Sequence, residues 1–280
     1  IECGSMIKTD GPVPMRMIGE TEFVNGIAAM SAGGEYGTAR VAAGIVGHAD
    51  LCLGDDVAPV LAAHIKAGGG RFRGIRHSCT WDPSPDVPNA RCEPPEHLYQ
   101  QENFRQGFAQ LAKHNMSFEG WCFHTQIKEL TELAQAFPDT TIILDHFGGP
   151  LGIGPYAGKR NDDFAQWQTD VTELARCQNV VAKLGGINME LNGFGWHERD
   201  RPPGSEELMQ ATRPYYDHAI EQFGVDRCMF ESNFPVDMCS CSYNVLWNSF
   251  KHLTADYTAG EKAALYHDTA NRVYRLDDPV

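Results

Sequence analysis

Three things are scarce in this 280-residue chain. Positive charge is the first: 23 Lys and Arg stand against 37 Asp and Glu, a formal net charge of -14 with a sequence pI of about 5.1. A surface of that sign repels phosphate backbones and anionic headgroups, so nucleic acid and membrane surfaces are set aside as partners. Long apolar runs are the second scarcity. No stretch reaches the roughly 20 residues that a membrane helix needs, and no basic start leads into an apolar core of the secretory kind, so the expected location is the cytoplasm. Paired cysteines are the third. The nine cysteines are odd in number and scattered, unlike a small disulfide scaffold. Cys239 and Cys241 lie close together, but no second pair completes a four-ligand zinc site, and reduced loop thiols are the expected state. Internal repeats, low-complexity tracts and domain linkers are missing too.

What is present is the composition of one soluble domain spanning 1–280, with 42% hydrophobic residues and enough chain to bury a sizeable core. Short β-rich apolar runs at 1–3, 41–46, 72–76, 118–123, 141–144, 180–184 and 228–230 alternate with amphipathic stretches. Helices are predicted at 58–66, 103–114, 126–137, 164–177, 214–223 and 243–253, and Thr258 with Glu261 forms a capping box that opens a last one. Alternation of this kind builds a parallel sheet from βαβ units, an α/β fold. Seven strands and this length predict a TIM-type (β/α)8 barrel, which typically takes about 250 residues. The chain opens inside a strand-like run, so the barrel's first strand is expected to precede Ile1 and to be missing from this chain. A long loop at 80–95, rich in Pro and charge, reads as a lid, a pocket wall or surface decoration.

In such a barrel the chemistry sits where strands end. Four runs end in polar residues: Arg76-His77-Ser78, Cys122-Phe123-His124, Leu144-Asp145-His146 and Phe230-Glu231-Ser232-Asn233. Charged and imidazole groups are rarely buried without partners, so their recurrence at one end of several strands points to a shared polar cavity. Strand alternation predicts Arg76, His124, His146, Glu231 and Asn233 on the inner face, with Asp145 and His77 toward the helices. Lys183 shares a face with Val181 and Gly185, and a structural pairing with Glu231 is expected of it.

At these residues a resemblance appears. The stretch from Ile142 through Asp145-His146-Phe147-Gly148-Gly149-Pro150, followed by Val180 to Gly186, resembles the amidohydrolase-related barrel proteins that include pyrone dicarboxylate lactonase and the sugar lactonases. Arg227 to Asp237 is similar to that family's last-strand motif, and Thr269 to Tyr274 to its terminal helix. The likeness runs the whole length of the chain and implies hydrolysis of a lactone or related carboxylic ester of a small molecule. It also exposes two departures. A first-strand His-x-His pair, usual in the family, is not in this chain, and Asn233 stands where many relatives carry the Asp that activates water. An amide cannot act as a base, which leaves Asp237 or Glu231 for that role.

Lactone opening needs a base for water, donors for the developing oxyanion and a grip on the substrate. The expected assignment gives the base to Asp237 or Glu231, water orientation to Asn233, carbonyl polarisation to His146 and His124, and substrate binding to Arg76 and Ser78. Trp196 and His197, in the loop 191–203 with Phe194, form either an aromatic wall for a ring substrate or a self-packed loop. No cofactor is expected to be required. Zinc on His124 and His146, in a hydrolase or decarboxylase, is the rival reading, and a non-catalytic barrel that binds a small acid is another.

Overall fold

The computed structural model describes residues 1–89 and 93–276. Six parallel strands, β1 (Ile45–Gly47), β2 (Phe72–Arg76), β3 (Ser117–Gly120), β4 (Ile142–Leu144), β5 (Val180–Leu184) and β6 (Cys228–Phe230), pair in sequence order as a curled sheet. Helices α1 (Ile18–Ala32), α2 (Ala58–Ala67), α3 (Glu102–Lys113), α4 (Ile127–Ala136), α5 (Arg160–Ala175), α6 (Ser205–Phe223) and α7 (Tyr243–Leu253) accompany it. After the observed Thr258–Glu261 capping box, α8 (Ala259–Ala263) runs through a π turn into α9 (Thr269–Tyr274). The α/β barrel architecture is the expected one, represented among the described residues by six strands.

Period-2 alternation divides each strand between two cores. Ile75, Phe118, Ile142, Leu144, Val180, Ala182, Cys228 and Phe230 pack outward into the large core shared with the helices. Val46, Ile143, Val181 and Met229 point inward and form a second cluster with Val273 and Tyr274 of α9. One layer further toward the strands' C-terminal ends, the inward positions are charged. The α3 helix shows why the outer shell forms: Phe104, Gly107, Phe108 and Leu111 repeat at helical spacing and are buried.

Some expectations are corrected. Residues 1–3 form no strand, although Glu2 is buried and bonded to Arg76. The third strand ends at Gly120, not at residue 123, so His124 lies in a short 3-10 turn beyond it. Helix α6 begins at Ser205 and not at 214, so Pro214, a residue type that favours a helix's first turn, lies in its interior. Helix α1 escaped notice because its buried positions include Glu20, Thr21 and Ser31 while Phe23, Ile27 and Met30 face outward, which leaves no apolar stripe to read. No described helix is long and apolar enough to cross a membrane. Of the loop 80–95, residues 90–92 lie outside the described residues.

Candidate functional site

The charged inward layer is the centre of the site. Lys183 on β5 places its Nζ 2.5 Å from Glu119 Oε2, 3.1 Å from Asp145 Oδ1 and 3.9 Å from Glu231 Oε2. Tyr274 donates its hydroxyl to the other oxygen of Glu119 at 2.6 Å. Arg76 closes the layer with Nε 2.8 Å from Glu2 Oε1 and Nη1 3.6 Å from Asp145 Oδ2. Lys183, Glu119 and Asp145 are almost fully buried, so these charges survive only through one another. Burial pushes the Glu119 carboxyl up to about 7 even with Lys183 beside it. For Asp145 burial acts in the same direction, but Lys183, His146 and Arg76 outweigh it and hold the group well below the usual carboxylate range.

Asp145 therefore faces inward, against the expected alternation. The following turn explains how His146 also reaches the site: His146 and Phe147 have φ of 52° and 59°, in the left-handed region. Trp167 of α5 supports that turn by donating its indole N–H to the Phe147 carbonyl at 2.7 Å. His146 then donates from Nδ1 to Glu231 Oε1 at 2.6 Å, with the Trp121 indole edge-on 4.8 Å from the ring. Burial disfavours a charged ring, yet the Glu231 carboxylate more than offsets this and raises the His146 pKa. Reciprocally, His146 and Lys183 overcome burial and keep Glu231 ionised below its usual range.

Asp237, wholly buried, lies within electrostatic reach of this pair. The segment after β6 turns at Asn233, whose φ of 50° suits a residue type that tolerates left-handed backbone. Asn233 donates its side-chain amide to Asp237 Oδ1 at 2.7 Å, and the Asn188 backbone N–H donates to Oδ2 at 3.3 Å. Burial lifts the Asp237 carboxyl to about 6, with Asn233 and His146 moderating the rise. A carboxylate that titrates near neutrality is suited to accepting a proton.

Among the expected site residues, then, His146, Glu231, Asn233 and Asp237 come together. Arg76 lies on the inward face, where its donors are engaged by Glu2 and Asp145 in the ionic layer. Ser78 lines a cavity of about 350 Å³ at the ends of β1 and β2, together with Glu2, His48 and Met17. His124 belongs to another group. Its Nδ1 accepts from the Leu151 N–H at 3.3 Å and its ring meets Tyr156 edge-on at 5.2 Å, while burial lowers its pKa. Trp196 stacks on Phe194 at 5.8 Å with Arg199 over it, and His197 approaches Glu198, so the loop packs on its own aromatics. Sequence reasoning missed Glu119, Tyr274 and Asn188. For Glu119 the signal existed, because Ser117-Phe118-Glu119-Gly120 alternates with Phe118 outward.

Comparison with known proteins follows the same lines. The family model described as Amidohydrolase matches residues 37–276. The chain is 35% identical over 263 residues to an uncharacterized protein, y4mH, of Sinorhizobium fredii (strain NBRC 101917 / NGR234), covering 94% of this chain and 77% of that protein. It is 28% identical over 246 residues to L-fucono-1,5-lactonase of Burkholderia multivorans (strain ATCC 17616 / 249), covering 86% and 74%. A solved amidohydrolase of Burkholderia multivorans with bound zinc is 26% identical, with a TM-score of 0.71 over 92% of this chain and 79% of that one.

That relative's zinc calls for a test of the donors here. Zinc needs three or four N, O or S ligands about 2.0–2.3 Å from one point. Both histidines engage Nδ1, His146 with Glu231 and His124 with Leu151, which leaves Nε2 of each as the nitrogen that would bind a metal. Among the described residues, the single group of three metal-ligating side chains within 4.8 Å of one another is Asp50, Cys52 and His77, which includes neither histidine. In that group His77 accepts from the Leu51 N–H and Asp50 from the Cys52 N–H, the contacts of a helix start. Among the described residues, His124 and His146 thus have no third ligating side chain grouped with them.

Proposed function

The chain belongs to the amidohydrolase family, and on that premise we propose that it is a hydrolase that opens a lactone or related carboxylic ester of a small molecule. The observation that carries this reading is the wholly buried Asp237, lifted to about 6 and oriented by Asn233, beside the His146–Glu231 ion pair. In the proposed reaction the Asp237 carboxylate takes a proton from water as the oxygen attacks the carbonyl carbon. The charge that develops on the carbonyl oxygen is stabilised by the protonated His146 ring, which Glu231 keeps charged. The ring C–O bond then breaks, and the leaving alkoxide recovers the proton held by Asp237, giving a hydroxy acid. Asn233 acts by aiming Asp237 instead of water. The similarity to L-fucono-1,5-lactonase favours sugar-acid lactones as substrates.

Turnover of a panel of aldonolactones and aryl esters, followed by acid release, tests this. The wild type is expected to hydrolyse at least one lactone, and Asp237→Asn to lose about 10²–10⁴ in kcat, the usual worth of a general base. No turnover of any lactone or ester by the wild type, or near-normal turnover by Asp237→Asn, refutes the reading.

A further inference from the structure

We propose that Lys183 is a positioning residue: its ammonium, shared by Glu119, Asp145 and Glu231, holds the Glu231 carboxylate against His146 and so keeps that ring oriented for the reaction. The inference rests on the hydrolase reading above for its kinetic arm only.

The geometry assigns the role. Glu231 has two oxygens; Oε1 accepts from His146 at 2.6 Å and Oε2 lies 3.9 Å from Lys183 Nζ. Glu231 is flanked on one side by the imidazole and on the other by the ammonium, which restricts rotation of its carboxyl plane. The same ammonium is 3.1 Å from Asp145, the residue that precedes the left-handed turn carrying His146. The Asp145 carboxylate is held by its ion pairs to Lys183 and Arg76. Lys183 thus tethers both ends of the segment that presents His146: the carboxylate the ring donates to, and the residue before it. Glu119 in turn fixes Lys183. Tyr274 pins one Glu119 oxygen and the ammonium takes the other, which anchors the chain of contacts to α9. The Lys183 ammonium is taken up by Glu119, Asp145 and Glu231, which makes it a support for other groups.

Removing the lysine alone strands buried carboxylates, so the test uses Lys183→Met together with Glu119→Gln, which deletes one charge of each sign. The readout independent of activity is the His146 Nδ1–H proton, observed by NMR as a low-field resonance in slow exchange with water and assigned by its loss in His146→Gln. In the double variant its exchange is expected to quicken at least about tenfold, the loss of one well-held ionic hydrogen bond. On a lactone substrate kcat is expected to fall at least about tenfold with KM within about twofold. Lys183→Arg, which keeps the charge, is expected to recover most of both. If the double variant does not give a cooperative melt, Lys183→Gln measured at pH 6, where Glu119 is protonated, is read in the same way. An unchanged N–H resonance in a folded variant overturns the proposal and leaves Lys183 as a core ion pair. If the wild type hydrolyses no lactone, the proposed function fails while the N–H measurement still decides the role of Lys183.

Discussion

Gly186→Ala is the sharpest single perturbation of the site. Gly186 follows β5 with φ of +72°, and a methyl built there would stand 2.6 Å from His146 Cγ and closer still to Nδ1, the atom that donates to Glu231. Ordinary contact needs 3.4 Å or more, so the ring must retreat by roughly 1 Å, and its bond to Glu231 cannot survive in place. Backbone strain for an L side chain at this φ costs about 1–2 kcal/mol. Loss of a hydrogen bond between charged groups costs about 1.5–3 kcal/mol. Together these predict a destabilisation of about 3–5 kcal/mol, a drop in Tm on the order of 10 °C for a domain of this size. A 1 Å displacement of the polarising ring predicts a loss of about 10² in kcat. Gly158→Ala is the control: its φ is +76° and nothing lies within 4 Å of the added methyl, so it carries backbone strain alone. Thermal melts and lactone turnover of the two variants decide. If Gly186→Ala matches Gly158→Ala in both, the steric argument linking β5 to His146 is wrong.

Three further outcomes follow from the same structure. Trp167→Phe replaces the buried indole by a smaller ring and deletes its donor to Phe147; the lost hydrogen bond alone should cost about 1–3 kcal/mol, with the cavity adding to it, read from the urea midpoint, and kcat should fall as well, because that carbonyl anchors the turn carrying His146. Lactone hydrolysis should lose activity as pH falls through about 6, where Asp237 takes up a proton, and a flat rate from pH 7 to pH 5 removes Asp237 as the base. His64 is buried as a neutral ring, bonded to Thr21 and to the His48 carbonyl, and burial lowers it to about 4. Because the unfolded chain takes up that proton first, this contribution to stability is intact above pH 6.5 and is lost progressively toward pH 4, by about 3 kcal/mol. The difference between urea midpoints at pH 7 and pH 4.5 should shrink by about that amount in His64→Gln and persist in part, because burial lowers His77 to about 4 as well.

Much of this was legible without coordinates, for physical reasons that can be named residue by residue. Short β-rich runs such as Val180–Leu184 and Phe72–Arg76 read as buried strands, and their alternation with helical stretches leaves little choice but a parallel α/β sheet. Polar residues at strand ends marked His146, Glu231 and Asn233, because such groups are costly in a sheet without a reason to be there; Asp237 entered only as the alternative base once the family resemblance showed Asn233 in place of an Asp. What alternation could not give was the turn at His146. Its left-handed backbone breaks the period, so that Asp145 and His146 both face inward, and that choice depends on Trp167 twenty residues away gripping Phe147. Nor could local pattern show that Arg76 is consumed by Glu2, that His124 sits beyond its strand with Tyr156, or that Tyr274 from the last helix reaches Glu119 across 155 positions of chain. Chain composition and spacing determined which segments are strands and which strand ends are polar. Only the closing of the sheet decided which charge meets which, because an ion pair depends on distance in space and carries no trace in local sequence.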